Sequence, residues 1–422
     1  MTRKLLYVSV AALLLLLLPG TALAQGSTRH TVSTVNQGAV GIVERSVSFQ
    51  VRNVNRSLTP CAVDGRRYTV RGHLTGPAAA LANPRAVTLF LHGLSYGEFF
   101  SRYTAQPGYD FASKQAAAGH VTVTIDRLGY GNSDKPQGDE ICFGSRADIA
   151  HQIVQQLRAG SYGSNAGHPA FSQVVLAGHS VGSIIAQEEA YSFGDIDGLI
   201  VLSYSETVVS AAAQQALMVA TTQCRAGGQR SGGTSGPTGY VYFGAATPAM
   251  FLAAHFYAPN ANLTVAATTA QLRHRDPCGD ILSYKAAVKA NLAHVQNIHV
   301  PTLVLIGAKD AIFPTAAGTQ ARLLTGSRSV TAVNLAATGH AVTLHLSRNT
   351  FQAQVSQWLN GHGFGSGAAV AMPIGGVAAG GGGTARQEPG RSALPLGAGV
   401  LAAVLLGFGG WTFRRAAHTP RG

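Results

Sequence analysis

The stretch Gly178-His179-Ser180-Val181-Gly182 contains the residues best suited to nucleophilic chemistry. An apolar run at 174–177 precedes it, and a helix-like segment at 183–190 follows it. A strand, a tight turn and a helix in this order expose a serine hydroxyl at the apex of the turn. Small flanking residues fit, because bulky ones would clash in the strained backbone of such a turn. The pattern predicts that Ser180 is a nucleophile.

Two further residues with useful chemistry follow apolar runs in the same way. Asp310 comes after the run at 301–307, and His340 comes after the run at 330–335. Ser180, Asp310 and His340 therefore each lie just beyond the C-terminal end of a predicted strand. Open α/β sheets gather their reactive groups at that edge.

The elements that must position these residues are short apolar runs alternating with helical segments. The runs lie at 86–91, 120–125, 174–177, 199–202, 301–307 and 330–335. This alternation predicts an α/β fold, with a mainly parallel sheet and helices on both of its faces. Alternating apolar and polar residues at 46–53 and 68–74 predict an antiparallel pair at the sheet edge.

With these pieces the chain resembles the α/β-hydrolase superfamily, and in particular its esterase-like and lipase-like serine hydrolases. The resemblance covers about residues 45–362, apart from a middle insertion. It rests on five motifs in the order typical of the family: His92-Gly93, Asp126-Arg127-x-Gly-x-Gly-x-Ser, the serine turn at 178–182, Gly307-x-x-Asp310 and Gly339-His340. The resemblance implies the α/β-hydrolase fold with the nucleophile first, the acid second and the histidine last.

The resemblance assigns catalytic roles to these residues. Ser180 is the expected nucleophile, and His340 is the base that removes its proton. Asp310 is the expected acid that orients the imidazole and stabilises its cation. Glu206 is the alternative acid, since it lies just past the strand that ends at 202–204 and some hydrolases take their acid from that strand.

Stabilisation of an oxyanion would come from the backbone. The backbone N–H groups of Val181 and Leu94 are the expected donors, one following the nucleophile and one in the loop after the His92 strand. His92 itself is expected to organise that loop. Asp126 and Arg127 are expected to hold their own turn by hydrogen bonds.

The type of nucleophile limits the reactions that the chain is expected to catalyse. Relatives that dehalogenate alkanes or open epoxides carry aspartate at the turn, whereas a serine implies an acyl-enzyme intermediate. The expected substrate is a carboxylic ester, with thioesters, lactones and amides left open. Cofactor-free perhydrolysis or haloperoxidation, C–C hydrolysis and an inactive surface binding module are the alternatives. No cofactor is expected, and the sequence has no Cys-x-x-Cys and no clustered His/Cys spacing, so no metal is expected either.

The two ends of the chain predict its compartment. Residues 1–24 read as a signal peptide, with an uncleaved anchor as the alternative. Residues 363–392 form a Gly/Ala-rich linker, 393–413 a transmembrane helix and 414–422 a basic cytoplasmic tail. The catalytic domain is therefore expected to be exported and held at the membrane, outside the cytoplasm. The Leu394-Pro395-Leu396-Gly397 stretch lacks the Thr-Gly pair of a cell-wall sorting signal.

The cysteines predict disulfides, and the charge pattern limits the expected partners. Four cysteines favour two disulfides, for which three pairings are possible. The preferred pairing is Cys61–Cys142 within the core and Cys224–Cys278 within the insertion, with buried free thiols as the alternative. The formal net charge is +13, but no long basic block exists, so nucleic acid is not an expected partner. The sequence leaves the oligomeric state open.

The insertion divides the core. Residues 45–205 and 299–362 form the predicted core, and 206–298 form a predicted cap over the active site. The segment 210–220 is predicted to be helical, and 227–239 is a Gly/Ser-rich loop. The aromatic residues within 240–257 either line a pocket for an apolar acyl group or form the core of the cap.

Overall fold

The computed structural model describes residues 34–37, 40–244 and 247–365. The chain divides into two compact units, Met1–Met372 and Pro373–Gly422, and all described residues belong to the first. The predicted signal peptide (1–24), transmembrane helix (393–413) and tail (414–422) lie outside the described residues, as does the linker from 366 onward. Within the described ranges, no helix has the length and apolar character needed to cross a membrane.

One sheet of ten strands organises the described residues. The twelve strands of the structure are β1 (Thr34–Gln37), β2 (Val40–Arg52), β3 (Arg67–Pro77), β4 (Ala86–Leu91), β5 (Thr122–Asp126), β6 (Gly163–Ser164), β7 (Gln173–His179), β8 (Gly198–Leu202), β9 (Tyr240–Val241), β10 (Asp276–Pro277), β11 (Thr302–Gly307) and β12 (Val330–Leu335). Their order in the sheet is β1-β2-β3-β5-β4-β7-β8-β11-β12, and β6 pairs with β2. The short strands β9 and β10 pair separately.

The sheet is parallel from β5 to β12 and antiparallel at the other edge. Strands β1, β2 and β3 form the antiparallel part, and β3 joins β5. The pairing of β2 with β3 confirms the predicted edge pair. The mainly parallel sheet confirms the predicted fold class.

Helices cover both faces of the sheet, as the continuous apolar runs predict. They are α1 (Ala78–Ala82), α2 (Phe111–Ala117), α3 (Phe143–Ala159), α4 (Val181–Ser192), α5 (Ala211–Arg225), α6 (Pro248–His255), α7 (Leu263–Leu272), α8 (Cys278–His294), α9 (Ala317–Ala321) and α10 (Arg348–Gly361). Helices α3, α4 and α8 pack together with one hydrophobic core, and α2 and α10 pack with the other. Successive strand residues alternate between the cores: Leu176 of β7 lies in the first and Val175 in the second.

The inserted segment between β8 and β11 is mostly helical. Ser210 begins α5, where its hydroxyl accepts a hydrogen bond from the backbone N–H of Ala213 at 3.2 Å. Helix α8 packs against α3 and α4, so the insertion also supplies a helix to the layer that covers the sheet.

Both predicted disulfides are present. Cys61–Cys142 joins the loop after β2 to the start of α3, with a Cα–Cα distance of 6.3 Å. Cys224–Cys278 joins α5 to the start of α8, with a Cα–Cα distance of 5.2 Å. Free cysteines, the alternative that the sequence leaves open, are absent from the chain.

Candidate active site

Ser180 occupies a strained turn between β7 and α4. Its φ of 55° and ψ of −125° are unusual for a residue other than glycine. Its backbone N–H donates to the carbonyl of Leu202 at 2.8 Å, and its carbonyl accepts from Ser183 at 2.8 Å. These bonds fix the turn between two parallel strands and the first turn of α4.

The two glycines that flank the turn have no room for a side chain. A Cβ at Gly182 would lie 2.3 Å from the carbonyl oxygen of Leu91 in β4. A Cβ at Gly178 would lie 2.2 Å from the carbonyl oxygen of Gly182. Because backbone atoms block both positions, larger residues would displace the strand or the helix, as the sequence predicts.

Asp310 and His340 meet beyond the ends of β11 and β12. His340 Nδ1 donates to Asp310 Oδ2 at 2.9 Å, and both side chains are buried. Asp310 Oδ1 accepts from the backbone N–H groups of Ile312 and Phe313 at 2.9 and 3.0 Å. The carboxylate is therefore held by its own loop and orients the ring with its second oxygen.

The other nitrogen of His340, Nε2, is buried and has no hydrogen-bond partner among the described residues. His179, the residue before Ser180, donates from Nε2 to the carbonyl of His340 at 3.0 Å. The two imidazole centroids are 4.7 Å apart. The structure thus brings the serine turn into contact with the Asp310–His340 pair, although no hydrogen bond joins the Ser180 hydroxyl to His340 within the described ranges.

The predicted oxyanion donors lie on either side of Ser180. Val181 is the first residue of α4, where backbone N–H groups have no partner within the helix. The loop that contains Leu94 passes so close that a Cβ at Gly93 would be 2.9 Å from Ser180 Cβ. In the described part of the chain, neither the Leu94 nor the Val181 N–H has a hydrogen-bond acceptor.

A carboxylate from the inserted segment holds the Leu94 loop. Asp276 accepts from the backbone N–H of Ser95 at 2.6 Å and from the Tyr130 hydroxyl at 3.0 Å. Burial raises the pKa of Asp276 to about 6, and these hydrogen bonds oppose the rise. The insertion therefore fixes the backbone next to the predicted oxyanion donors.

His92 and Asp126 occupy the structural positions that the sequence predicts. His92 Nδ1 donates to the carbonyl of Gly93 at 2.8 Å, and Nε2 accepts from the backbone N–H of Arg127 at 3.1 Å. Asp126 accepts from the backbone N–H of Asn132 at 2.7 Å, across its own turn.

Glu206, the alternative acid, belongs to a different buried network. Its carboxylate accepts from Tyr204, Asn291 at 2.7 Å and Gln187 at 3.1 Å. Burial raises its pKa to about 7 despite these bonds. No described hydrogen bond joins Glu206 to His340.

The sequence patterns miss His255 and Tyr96. The Tyr96 hydroxyl and His255 Nδ1 share a hydrogen bond of 2.8 Å, and both residues are buried. The His255 ring centroid is 5.1 Å from that of His340. Since Tyr96 follows β4 and His255 ends α6, only the tertiary fold places them here, and no local signal marks them.

His345 is a further residue whose role the sequence does not indicate. Its Nε2 accepts from the backbone N–H groups of Gly339 and Tyr257 at 3.1 and 3.0 Å. Its Nδ1 donates to the carbonyl of Ala341 at 2.8 Å. Burial lowers the pKa of His345, which favours the neutral ring that these bonds require. The ring fixes the loop that carries His340.

A cavity of about 710 Å³ opens between α5 and α6 beside this site. Its lining is mainly apolar and includes Val219, Tyr242, Phe243, Met250, Phe251 and Ile312. Two lining residues are neighbours of the predicted catalytic residues. The ring of His255 lies beside that of His340, and Ala311 follows Asp310 in the sequence. By contrast, Tyr240 is buried in the fold, so the aromatic residues of this segment divide between the cavity lining and the buried interior.

One group of side chains among the described residues has the spacing to hold a metal ion. It consists of His151, Glu189 and Asp195 and lies at the far end of α4 from Ser180.

Comparison with known proteins points to one family. A sequence model of the Alpha/beta hydrolase family matches residues 88–355, more than half of the chain. Similar solved structures include a monoacylglycerol lipase from Paleococcus ferrophilus, with 17% identity, coverage of 65% of this chain and 94% of that chain, and a TM-score of 0.47. A bromoperoxidase from Bacillus anthracis has 14% identity, coverage of 74% of this chain and 99% of that chain, and a TM-score of 0.49. An enol-lactonase from Burkholderia xenovorans has 16% identity, coverage of 71% of this chain and 99% of that chain, and a TM-score of 0.48. No curated protein matches the sequence of this chain.

Proposed function

The chain belongs to the alpha/beta hydrolase family, and from that premise we propose that it is a serine hydrolase that cleaves carboxylic esters through an acyl-enzyme intermediate. The observation that carries the proposal is the Asp310–His340 hydrogen bond, whose imidazole keeps Nε2 unpartnered and contacts the residue before Ser180. A serine nucleophile needs a base that an acid holds through one ring nitrogen and that keeps its other nitrogen free to accept the hydroxyl proton, and the Asp310–His340 pair supports that role.

In the proposed mechanism, Ser180 attacks the ester carbonyl while His340 Nε2 accepts the hydroxyl proton. Asp310 stabilises the resulting imidazolium through the Nδ1 hydrogen bond. The backbone N–H groups of Leu94 and Val181 bind the developing oxyanion. His340 then protonates the leaving alcohol, and a water molecule activated by the same imidazole hydrolyses the acyl-serine.

The lining of the cavity supports a substrate with an apolar acyl group. Apolar side chains of α5 and α6 surround it, and His255 is its main polar group near His340. A volume of about 710 Å³ accommodates an acyl chain of moderate length. We therefore expect kcat/KM to increase from acetyl to medium-chain esters.

The first test is removal of the nucleophile. Ser180→Ala should abolish both labelling by a fluorophosphonate probe and hydrolysis of p-nitrophenyl esters, with a fall in kcat of about 10⁴-fold or more. An unchanged thermal melting curve controls for folding.

Other outcomes would redirect the proposal. Wild-type protein that neither reacts with the probe nor turns over esters would indicate an inactive binding module. Peroxide-dependent halogenation without ester hydrolysis would assign the triad to perhydrolysis.

We also propose that the catalytic domain is exported and tethered through residues 393–413. The two disulfides support an oxidising compartment. A chain that ends before Ser392 should appear as active enzyme in the medium, whereas the full chain should fractionate with membranes. Membrane retention of the shortened chain would contradict the tether.

A further inference from the structure

Three side chains from separate elements converge at the C-terminal end of α4. They are His151 of α3, Glu189 of α4 and Asp195 of the loop before β8. One ligand atom from each lies within 4.8 Å of the other two. His151 Nδ1 and Asp195 Oδ2 are 2.9 Å apart and already contact each other.

Glu189 is the unusual member of this cluster. It is fully buried, and neither of its carboxylate oxygens has a hydrogen-bond partner among the described residues. Asp195 Oδ1 is likewise buried without a partner. Because an uncompensated buried carboxylate is strongly unfavourable, the pair requires a proton or a cation.

We propose that His151, Glu189 and Asp195 bind one divalent transition-metal ion of the Zn²⁺ type. Two carboxylates and a neutral imidazole balance the charge of such an ion. Imidazole favours Zn²⁺ over Mg²⁺ and Ca²⁺, and the cluster contains no thiolate. With bonds of about 2.1 Å, tetrahedral ligand atoms lie roughly 3.4 Å apart.

Neighbouring groups already orient the ligands. The ring of Phe193 stacks on His151 with centroids 4.2 Å apart. Gln155 donates a side-chain hydrogen bond to Asp195 Oδ2. The nearby positive charge of Arg158 is paired with Asp197 at 2.6 Å. Such outer contacts are typical of bound metal sites, because they fix the direction of a ligand, and here they orient His151 and Asp195.

The consequence is structural. An ion at this point would join α3, the end of α4 and the loop that enters β8. Since α4 begins next to Ser180, about 14 Å away along the helix, the ion would stabilise the helix that positions the nucleophile.

The test uses the full chain after removal of metals with a chelator. Wild-type protein should bind one equivalent of Zn²⁺ by calorimetry, and its melting temperature should rise by several degrees. Co²⁺ at the same site should give the visible absorption of a tetrahedral ion. Glu189→Gln and His151→Phe should each lower the affinity at least 100-fold and abolish the Co²⁺ spectrum. The second variant keeps the ring stack on Phe193.

Glu188→Gln is the matched control, because it changes a buried carboxylate of α4 that accepts from the Ser57 hydroxyl and the Thr59 backbone N–H, outside the cluster. It should retain the equivalent of Zn²⁺ and the spectrum. Absence of a saturable site in the wild type would overturn the proposal and leave a proton shared by the two carboxylates. Unchanged affinity in both ligand variants would also overturn it, and would assign binding to other histidines of the chain.

Discussion

At the scale of single residues, the environment of each carboxylate separates the two candidate acids. Asp310 directs one oxygen to His340 and holds the other on two backbone N–H groups. Glu206 is equally buried, but its oxygens are engaged by Tyr204, Asn291 and Gln187. Hydrogen bonds, and not burial, therefore indicate which acid can orient the imidazole.

Asp310→Asn and Glu206→Gln form a matched pair of isosteric changes. The first replaces the acceptor of the Nδ1 hydrogen bond and removes the charge beside the imidazolium, so kcat should fall about 10³- to 10⁴-fold. The second should change kcat less than about tenfold. Steady-state hydrolysis of a p-nitrophenyl ester measures both. If the effects were reversed, Glu206 would be the acid.

Single residues also show which parts of the candidate site the sequence can predict. The Ser180 turn is local, so its glycines and flanking apolar runs predict it directly. Asp310 and His340 are 30 residues apart, but both follow parallel strands, and sheet topology alone brings them together. His255 and Tyr96 are separated by 159 residues and lie in a helix of the insertion and a loop, where no periodic pattern predicts a contact.

At the scale of elements, buried polar networks tie the helices of the insertion to the core. Glu206 links the loop after β8 to Gln187 of α4 and Asn291 of α8. Gln320 of α9 adds a bond to the Glu206 backbone N–H at 2.9 Å. The network replaces apolar packing at the point where the insertion leaves the sheet, so its ionisation affects the stability of the whole domain.

Glu206→Gln should therefore change how stability depends on pH. Burial raises the pKa of Glu206 from 4.5 to about 7, so the folded protein binds the proton more tightly than the unfolded chain does. This residue's contribution is fully favourable below pH 4.5 and is lost as pH rises towards 7. As pH rises from 4.5 to 8, the free energy of unfolding of the variant should increase relative to that of wild type by on the order of 3 kcal/mol. Urea unfolding across that range gives the difference, and a pH-independent difference would contradict the prediction.

At the scale of the whole molecule, the two disulfides constrain different regions. Cys61–Cys142 spans 81 residues and fastens the loop after β2 to α3, within the core. Cys224–Cys278 spans 54 residues and fastens α5 to α8. Helix α5 also lines the cavity, through Val219 and Gln223 among others. The second disulfide therefore lies within two turns of the proposed acyl pocket, and the first does not line it.

Separate removal of the two disulfides should have different effects on ester hydrolysis. Cys61→Ser with Cys142→Ser, and Cys224→Ser with Cys278→Ser, should each cost about 2–4 kcal/mol, because the unfolded chain regains loop entropy. The melting temperature of each double variant should fall by roughly 3–6 °C in calorimetry. Only the second should also raise KM for medium-chain esters, because α5 loses its link to α8 while Ser180 and its partners stay in place. Equal changes in KM for both variants would show that α5 does not shape the acyl site, and the cavity would then have to be reassigned.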